Sequence, residues 1–83
     1  MYEPRLEGAA LPAMGQMPPE ALDVLVEVMA LICTDPFDRL HSVAVRSDLE
    51  EERIAELGDF GFIEFRVDIS ARAVYVFRFV WTG

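Results

Sequence analysis

The sequence predicts an α+β fold in which one or two N-terminal helices pack on a three- to four-stranded antiparallel sheet. Residues 18–33 repeat apolar side chains at helical spacing, and residues 62–82 form two apolar runs with strand character. The chain has 83 residues, of which 53% are hydrophobic, so we expect a single domain over residues 1–83. Oligomerisation often supplements a core this small.

The N-terminal segment carries two weaker patterns. Residues 2–6 are compatible with a short edge strand, although Pro4 cannot donate a backbone hydrogen bond to a neighbouring strand. Residues 7–16 are expected to form one or two helical turns that Pro12 kinks or interrupts and that end at Gly15.

The principal helix is predicted to begin at Pro18 and Pro19, because proline suits a first helical turn, and Glu20 faces the positive end of the helix dipole. It should end before Pro36, since the residue preceding a proline avoids the helical region. Most apolar side chains form one face, expected to lie on the sheet: Leu22, Leu25, Val26, Met29, Ile32 and Cys33. A second apolar flank is expected against the N-terminal segment or another subunit: Val24, Val28 and Leu31.

The middle of the chain gives shorter signals. Val43 and Val45 alternate with smaller or polar residues, enough for a short strand or a loop. Ser47 followed by Asp48 and three glutamates resembles a helix N-cap, which predicts a brief helical turn over residues 47–52. Residues 53–57 are predicted as the strand before the C-terminal hairpin, and the glycines in residues 58–61 indicate the turn.

The C-terminal hairpin is the firmest prediction. Residues 62–69 alternate apolar and charged side chains, whereas residues 73–82 are apolar on both faces, and residues 70–72 separate the two runs. Folding about residue 71 pairs Ile63 with Phe79, Phe65 with Phe77, Val67 with Tyr75, and Glu64 with Arg78. Both Phe65 and Phe77 are then expected in the core.

The charge balance constrains the partners. The chain has 15 acidic residues and seven basic ones, all of them arginine, and a net charge of −8. An acidic surface is repelled by phosphates, so binding to free nucleic acid is not expected. Neither a signal peptide nor a membrane-spanning run is visible, and the single Cys33 fits a reducing compartment, so we expect a soluble cytoplasmic protein.

Candidate chemical sites are few. His41 is the only histidine, and its neighbours Asp35 and Asp38 offer no metal-ligand spacing, so neither a metal nor a cofactor is expected. Arg53, Arg66 and Arg78 fall on three adjacent predicted strands. If they shared a face, their guanidinium groups could hold a phosphate and stabilise the transition state of RNA cleavage. The alternative is cross-strand ion pairing with the interspersed acids Glu56, Glu64 and Asp68.

The order of these segments resembles the RelE/ParE family of toxin–antitoxin toxins. The resemblance rests on P-P-E-A-L-D-V-L-V-E-V-M at residues 18–29, on D-P-F at residues 35–37, and on residues 53–80. In that last stretch, R-I-A-E-L-G-D-F-G is similar to the family's strand and Gly-containing turn. F-I-E-F-R-V-D is similar to the family's next strand, which ends in an R-V-D-like triplet, and a final apolar strand follows.

The resemblance implies helices on one face of a twisted antiparallel sheet, and an antitoxin wrapped around the protein. It also implies ribosome-dependent mRNA cleavage or gyrase poisoning. Arg53 and Arg66 stand where nuclease members place phosphate-binding bases. Nuclease members usually carry a further Arg and a Tyr after the last strand, and lysines that interact with RNA; this sequence has neither that Arg and Tyr nor any lysine. We therefore expect the fold without an intact nuclease site.

Two functions remain open from the sequence. The first is a toxin-type protein that binds a protein or ribosomal target and is neutralised by an antitoxin. The second is a non-enzymatic interaction or regulatory module, which could act as a homodimer. In both, candidate partner contacts are Val24, Val28, Leu31 and Trp81. Arg53, Arg66 and Arg78 remain the only catalytic candidates.

Overall fold

The computed structural model describes residues 1–81, apart from the side chain of Trp81. Its strands are β1 (Glu3–Leu6), β2 (Val43–Arg46), β3 (Leu49–Glu56), β4 (Gly61–Asp68) and β5 (Ala73–Trp81). Its helices are α1 (Ala10–Met14) and α2 (Pro19–Thr34), and a single 3₁₀ turn, Gly58–Phe60, joins β3 to β4. The α+β class predicted from the sequence is confirmed.

The described part of the chain forms a five-stranded sheet in the order β1-β5-β4-β3-β2. Strands β2 to β5 follow one another antiparallel, as expected, but β1 pairs parallel with β5, with Glu3 opposite Ala73. The sheet is therefore mixed and has one strand more than the three or four predicted. The parallel pair arises because both helices and three strands separate β1 from β5 in the sequence, and such a long connection can return the chain in either direction.

Both helices begin and end near their predicted positions. Helix α2 has Pro19 at its first position, and its end is set by Asp35, whose N–H donates to the Leu31 carbonyl oxygen at 3.2 Å. Pro12 does not interrupt α1. It is the third residue of that helix, in the first turn, where an N–H has no partner within the helix and its absence costs little.

One part of the predicted apolar face of α2 is exposed. Ala21, Leu25, Ile32 and Cys33 are buried against the sheet, but Val26 is exposed. The buried side of α2 is thus narrower than the sequence pattern suggested. A helix that is apolar over most of its circumference does not reveal by spacing alone which side will be covered.

The helical turn predicted for residues 47–52 is wrong, because Leu49 begins β3. Ser47 and Asp48 instead form the connection between β2 and β3, with Arg46 opposite Leu49. The Arg46 guanidinium donates to the Asp48 carboxylate at 3.0 Å and 3.2 Å. Serine and aspartate favour turns as much as helix N-caps. Here the residues that follow them pair with a strand on each side, so Ser47 and Asp48 form a turn between strands and not the start of a helix.

The predicted hairpin register holds for only half of its length. Ile63 pairs with Phe79 and Glu64 with Arg78, as expected, but Phe65 then pairs with Val76. Phe77 is therefore the extra residue of a β-bulge, and from this point β5 presents the opposite set of side chains to the core. As a result, Val74 and Val76 are fully buried, whereas Phe77 is 38% exposed.

The core lies between α2 and the helix-facing side of the sheet. Its largest apolar members include Phe65 and Ile63 of β4 and Ile32 of α2, all at 0% exposure. The N-terminal segment closes one end of it, where the Tyr2 N–H donates to the Cys33 carbonyl oxygen at 2.8 Å. None of the helices in the described residues is long and apolar enough to span a bilayer.

Candidate functional site

The three candidate arginines do not form a cluster. Arg53 pairs with Phe65 across β3 and β4, which places it on the helix-facing side of the sheet. Arg66 pairs with Glu52, and Arg78 pairs with Glu64, on the opposite side, here called the outer face. The register therefore separates Arg53 from the other two.

Arg53 is a buried structural residue, with only 1% of its surface exposed. Its Nε donates to the Ser42 hydroxyl at 2.8 Å, and Nη2 donates to the Ser42 carbonyl oxygen at 3.0 Å. Nη1 donates to the Glu50 carbonyl oxygen at 3.1 Å and to its carboxylate at 2.8 Å. The guanidinium also lies 5.5 Å from the centre of the Phe37 ring. With these donors engaged, Arg53 anchors the loop before β2 rather than facing a ligand.

Arg66 and Arg78 share the outer face, and each has an acidic neighbour. The Arg66 guanidinium is 4.8 Å from the centre of the Tyr75 ring and 3.9 Å from the Glu7 carboxylate. Arg78 lies 3.8 Å from the Glu64 carboxylate. These distances are those of loose, solvent-exposed ion pairs, which contribute about 0–1 kcal/mol each. The outer face therefore presents mixed charge.

His41 and its neighbours lie in the loop between α2 and β2. The His41 Nε2 is 3.7 Å from the Asp38 carboxylate, and both side chains are about one-third exposed. The described residues contain no group of three or more His, Cys, Asp or Glu side chains that could hold a metal ion. Burial raises the pKa of the Cys33 thiol, which therefore stays protonated at neutral pH.

A cleft of about 530 Å³ lies between α2, the loop before β2, and the end of β3. Its apolar lining comprises Val28, Leu31, Leu40, Val43, Ile54 and Phe62. Several of these side chains are far from buried: Leu40 is 87% exposed, Val43 54% and Leu31 45%. A contiguous apolar surface of this kind is typical of an interaction site.

The cleft exists because β2 is shorter than its neighbour. Val43, the first residue of β2, lies opposite Ile54, so Ala55 and Glu56 at the end of β3 extend past it. Before Val43 the chain turns away, since the N–H groups of His41 and Ser42 both donate to the Asp38 carbonyl oxygen. This leaves a gap at the edge of the sheet, with α2 along one wall.

Charged side chains of both signs line the cleft. Glu56 is the exposed carboxylate among them. Arg39 also lines the cleft, and no ion pair to it is present among the described residues.

The structure places the predicted partner contacts as follows. Val28 and Leu31 line the cleft, while Val24 is half-buried beside the turn after β3, its Cγ1 3.8 Å from where a Cβ on Gly58 would lie. The backbone of Trp81 ends β5, but its side chain lies outside the described residues.

Sequence reasoning missed the other half of the cleft. Leu40 stands between Arg39 and His41, and an apolar side chain between two polar ones was the available signal. Ile54 and Phe62 gave no such signal, because their side chains lie on the outer face next to charged neighbours. Only the late start of β2, which leaves the end of β3 uncovered, brings them to the same opening as Val28 and Leu31.

Two helices on one side of a five-stranded sheet, with this strand order, define a RelE-like α+β fold. The chain is similar in structure to a chain in the crystal structure of the archaeal RelE–RelB complex from Pyrococcus horikoshii OT3, with a TM-score of 0.76. The alignment covers 99% of this chain and 96% of that chain at 16% sequence identity. No family model and no curated protein sequence matches the chain.

Proposed function

We propose that this chain is a toxin-type protein of a toxin–antitoxin pair, acting in the cytoplasm as one domain over residues 1–83. In this proposal it binds a protein or ribosomal target, and a cognate antitoxin neutralises it. The observation that carries the proposal is the structural similarity over 99% of the chain to a chain of the RelE–RelB complex. The exposed apolar cleft supports a role in protein binding.

The arrangement of charges favours a binding role over RNA cleavage. Cleavage by the 2′-hydroxyl needs a base for its proton and cations for the phosphate. Arg53 is buried and fully engaged with Ser42 and Glu50, while Arg66 and Arg78 face acidic neighbours. His41 lies in the loop beside the cleft, which Arg66 and Arg78 do not line. These placements support a toxin-type fold without the nuclease residues.

Controlled expression in a bacterial host, with growth as the readout, tests this function. We expect the chain alone to slow growth, and co-expression of the product of the immediately neighbouring gene to restore it. A primer-extension assay on mRNA in a cell-free translation extract should show no codon-specific cuts. Unimpaired growth without the neighbouring gene, combined with no complex between the two products, would contradict the proposal.

A second function, a non-enzymatic interaction module that forms a homodimer, is favoured by one observation. Leu40 and Val43 are both more than half exposed, and β2 is an edge strand. Sedimentation equilibrium over a wide concentration range separates the two functions. A concentration-dependent dimer without any effect on growth would favour the interaction module, and a monomer that binds the neighbouring product would favour the toxin-type protein.

A further inference from the structure

The end of β3 offers a free backbone edge inside the cleft. The Leu57 N–H donates to the Gly61 carbonyl oxygen at 2.8 Å, so the backbone groups of Leu57 face β4. Backbone groups alternate in direction along a strand, so those of Glu56 face the side on which β2 lies. Because β2 begins at Val43 opposite Ile54, it does not reach Glu56. A free edge of this kind is a template for an added strand.

The walls of the cleft belong to two different layers of the molecule. Val28 and Leu31 come from α2, on the helix-facing side of the sheet, whereas Ile54 and Phe62 point to the outer face. A strand laid along the edge at Glu56 would send alternate side chains to these two layers. The occupant that fits both walls is therefore an extended segment with apolar side chains on both faces.

The net charge of the chain adds a requirement for the partner. The whole chain carries a net charge of −8, whereas the cleft itself is lined by one carboxylate, Glu56, and one guanidinium, Arg39. A partner with basic residues flanking its apolar segment would be steered toward this acidic molecule, and an acidic partner would be repelled.

We propose that the cleft binds one extended, apolar segment of a partner protein, flanked by basic residues, which adds a short strand to the free end of β3. The proposal rests on the toxin–antitoxin function proposed above, in which this segment belongs to the antitoxin. It adds the place of binding, the backbone conformation of the segment, and the chemistry of its side chains.

Two pairs of matched variants test the backbone and the side-chain parts separately. Glu56→Pro removes the backbone N–H that an added strand needs, and Glu56→Ala keeps it. Proline is tolerated at an edge position whose backbone N–H points away from the neighbouring strand, so Glu56→Pro is expected to fold. Leu31→Glu places a charge on the cleft wall, and Val26→Glu places one on the same helix, at an exposed residue that does not line the cleft. Thermal melting followed by circular dichroism checks that each variant folds.

The probe is the purified product of the neighbouring gene, titrated into each variant by isothermal calorimetry. We expect Leu31→Glu to raise the Kd at least about tenfold over the wild type, equivalent to about 1.4 kcal/mol, and Val26→Glu to change it less than about threefold. Glu56→Pro should raise the Kd at least about tenfold over Glu56→Ala, which lacks the same carboxylate but keeps the N–H. In the wild-type complex, hydrogen exchange at the Glu56 amide should slow. The hydrogen-exchange measurement tests the added strand even if Glu56→Pro fails to fold.

The other outcomes contradict the proposal in distinguishable ways. Tight binding that none of the variants weakens would reject the cleft while leaving the toxin–antitoxin function standing. A loss with Leu31→Glu but not with Glu56→Pro, and no protection of the Glu56 amide, would mean that the segment binds as a helix. Self-association abolished by Leu31→Glu would identify a second copy as the occupant. No complex with the wild type would reject both proposals.

Discussion

The buried Arg53 shows how far one side chain can differ from the role its sequence context suggests. It stands on β3 between Glu52 and Ile54, in a charged stretch that reads as solvent-exposed, yet it is almost fully buried. Burying a guanidinium is costly unless its donors are satisfied, and here Ser42, Glu50 and the Phe37 ring satisfy them. Arg53 thereby holds residues 37–42, one wall of the cleft.

Replacing Arg53 should therefore affect stability rather than a reaction. We expect Arg53→Met to lower the free energy of unfolding by about 3 kcal/mol, because buried hydrogen bonds from a charged group are lost and their acceptors are left unsatisfied. The matched control is Arg66→Met at a residue about half exposed, which should stay within about 0.5 kcal/mol of the wild type. Urea unfolding followed by fluorescence measures both. Equal effects of the two substitutions would show that Arg53 is not a buried anchor.

At the scale of elements, the β-bulge in β5 decides which aromatic residues form the core. Phe65 and Phe77 were expected to face each other, but the bulge leaves Phe65 fully buried and Phe77 38% exposed. We expect Phe65→Ala to cost about 3–5 kcal/mol, which approaches the total stability of a small domain. Phe77→Ala should cost less than about 2 kcal/mol, because much of its ring already contacts water. Equal melting temperatures for the two variants would contradict the bulge.

The turn between β4 and β5 should make the hairpin sensitive to acid. The Ala71 N–H and the Ser70 hydroxyl donate to Asp68 Oδ1 at 3.0 Å and 2.8 Å, and these bonds lower the pKa of the Asp68 carboxyl below its ordinary value of 3.8. A carboxyl whose pKa is lowered by folding stabilises the protein above its unfolded-state pKa, and this contribution is lost as the pH falls through the folded-state pKa. Asp68→Ala should therefore lower the Tm at neutral pH.

The difference in Tm between wild type and Asp68→Ala should narrow once the pH falls below about 4, where the carboxyl begins to protonate. Melting curves between pH 7 and pH 2.5 measure this difference. Asp59→Ala is the control, because this carboxylate is exposed and accepts no hydrogen bond from any of the residues that the structure describes. A difference in Tm that stays constant down to the lowest pH would mean that the stability of the turn does not depend on the charge of Asp68.

For the whole molecule, charge decides which class of partner is accessible. With a net charge of −8 and no lysine, the chain cannot gain the counterion release that drives non-specific nucleic-acid binding. Fluorescence anisotropy near physiological salt should show no binding of the isolated protein to RNA or to duplex DNA. Micromolar affinity that falls steeply with added salt would contradict this and would assign a phosphate site to Arg66 and Arg78.

The sequence by itself determined the α+β class, the limits of α2, and the existence of the last two strands. These follow from local rules: proline positions, helical spacing and strand alternation act within a few residues. It also determined the net charge, and with it the expectation that the chain binds a protein rather than free nucleic acid. Among the partner contacts it proposed, Val28 and Leu31 came from the apolar circumference of α2, and they do line the cleft.

Only the tertiary structure decided the parallel pairing of β1 with β5, the bulge at Phe77, the burial of Arg53, and the free end of β3. Each depends on which strand lies beside another and where that neighbour begins, and the packing of the whole sheet sets these relations. A shift of one residue in β5 exchanges its two faces, so alternation alone could not say whether Phe77 or Val76 would be buried. The cleft exists for the same reason, because β2 starts two residues too late to cover both Ala55 and Glu56.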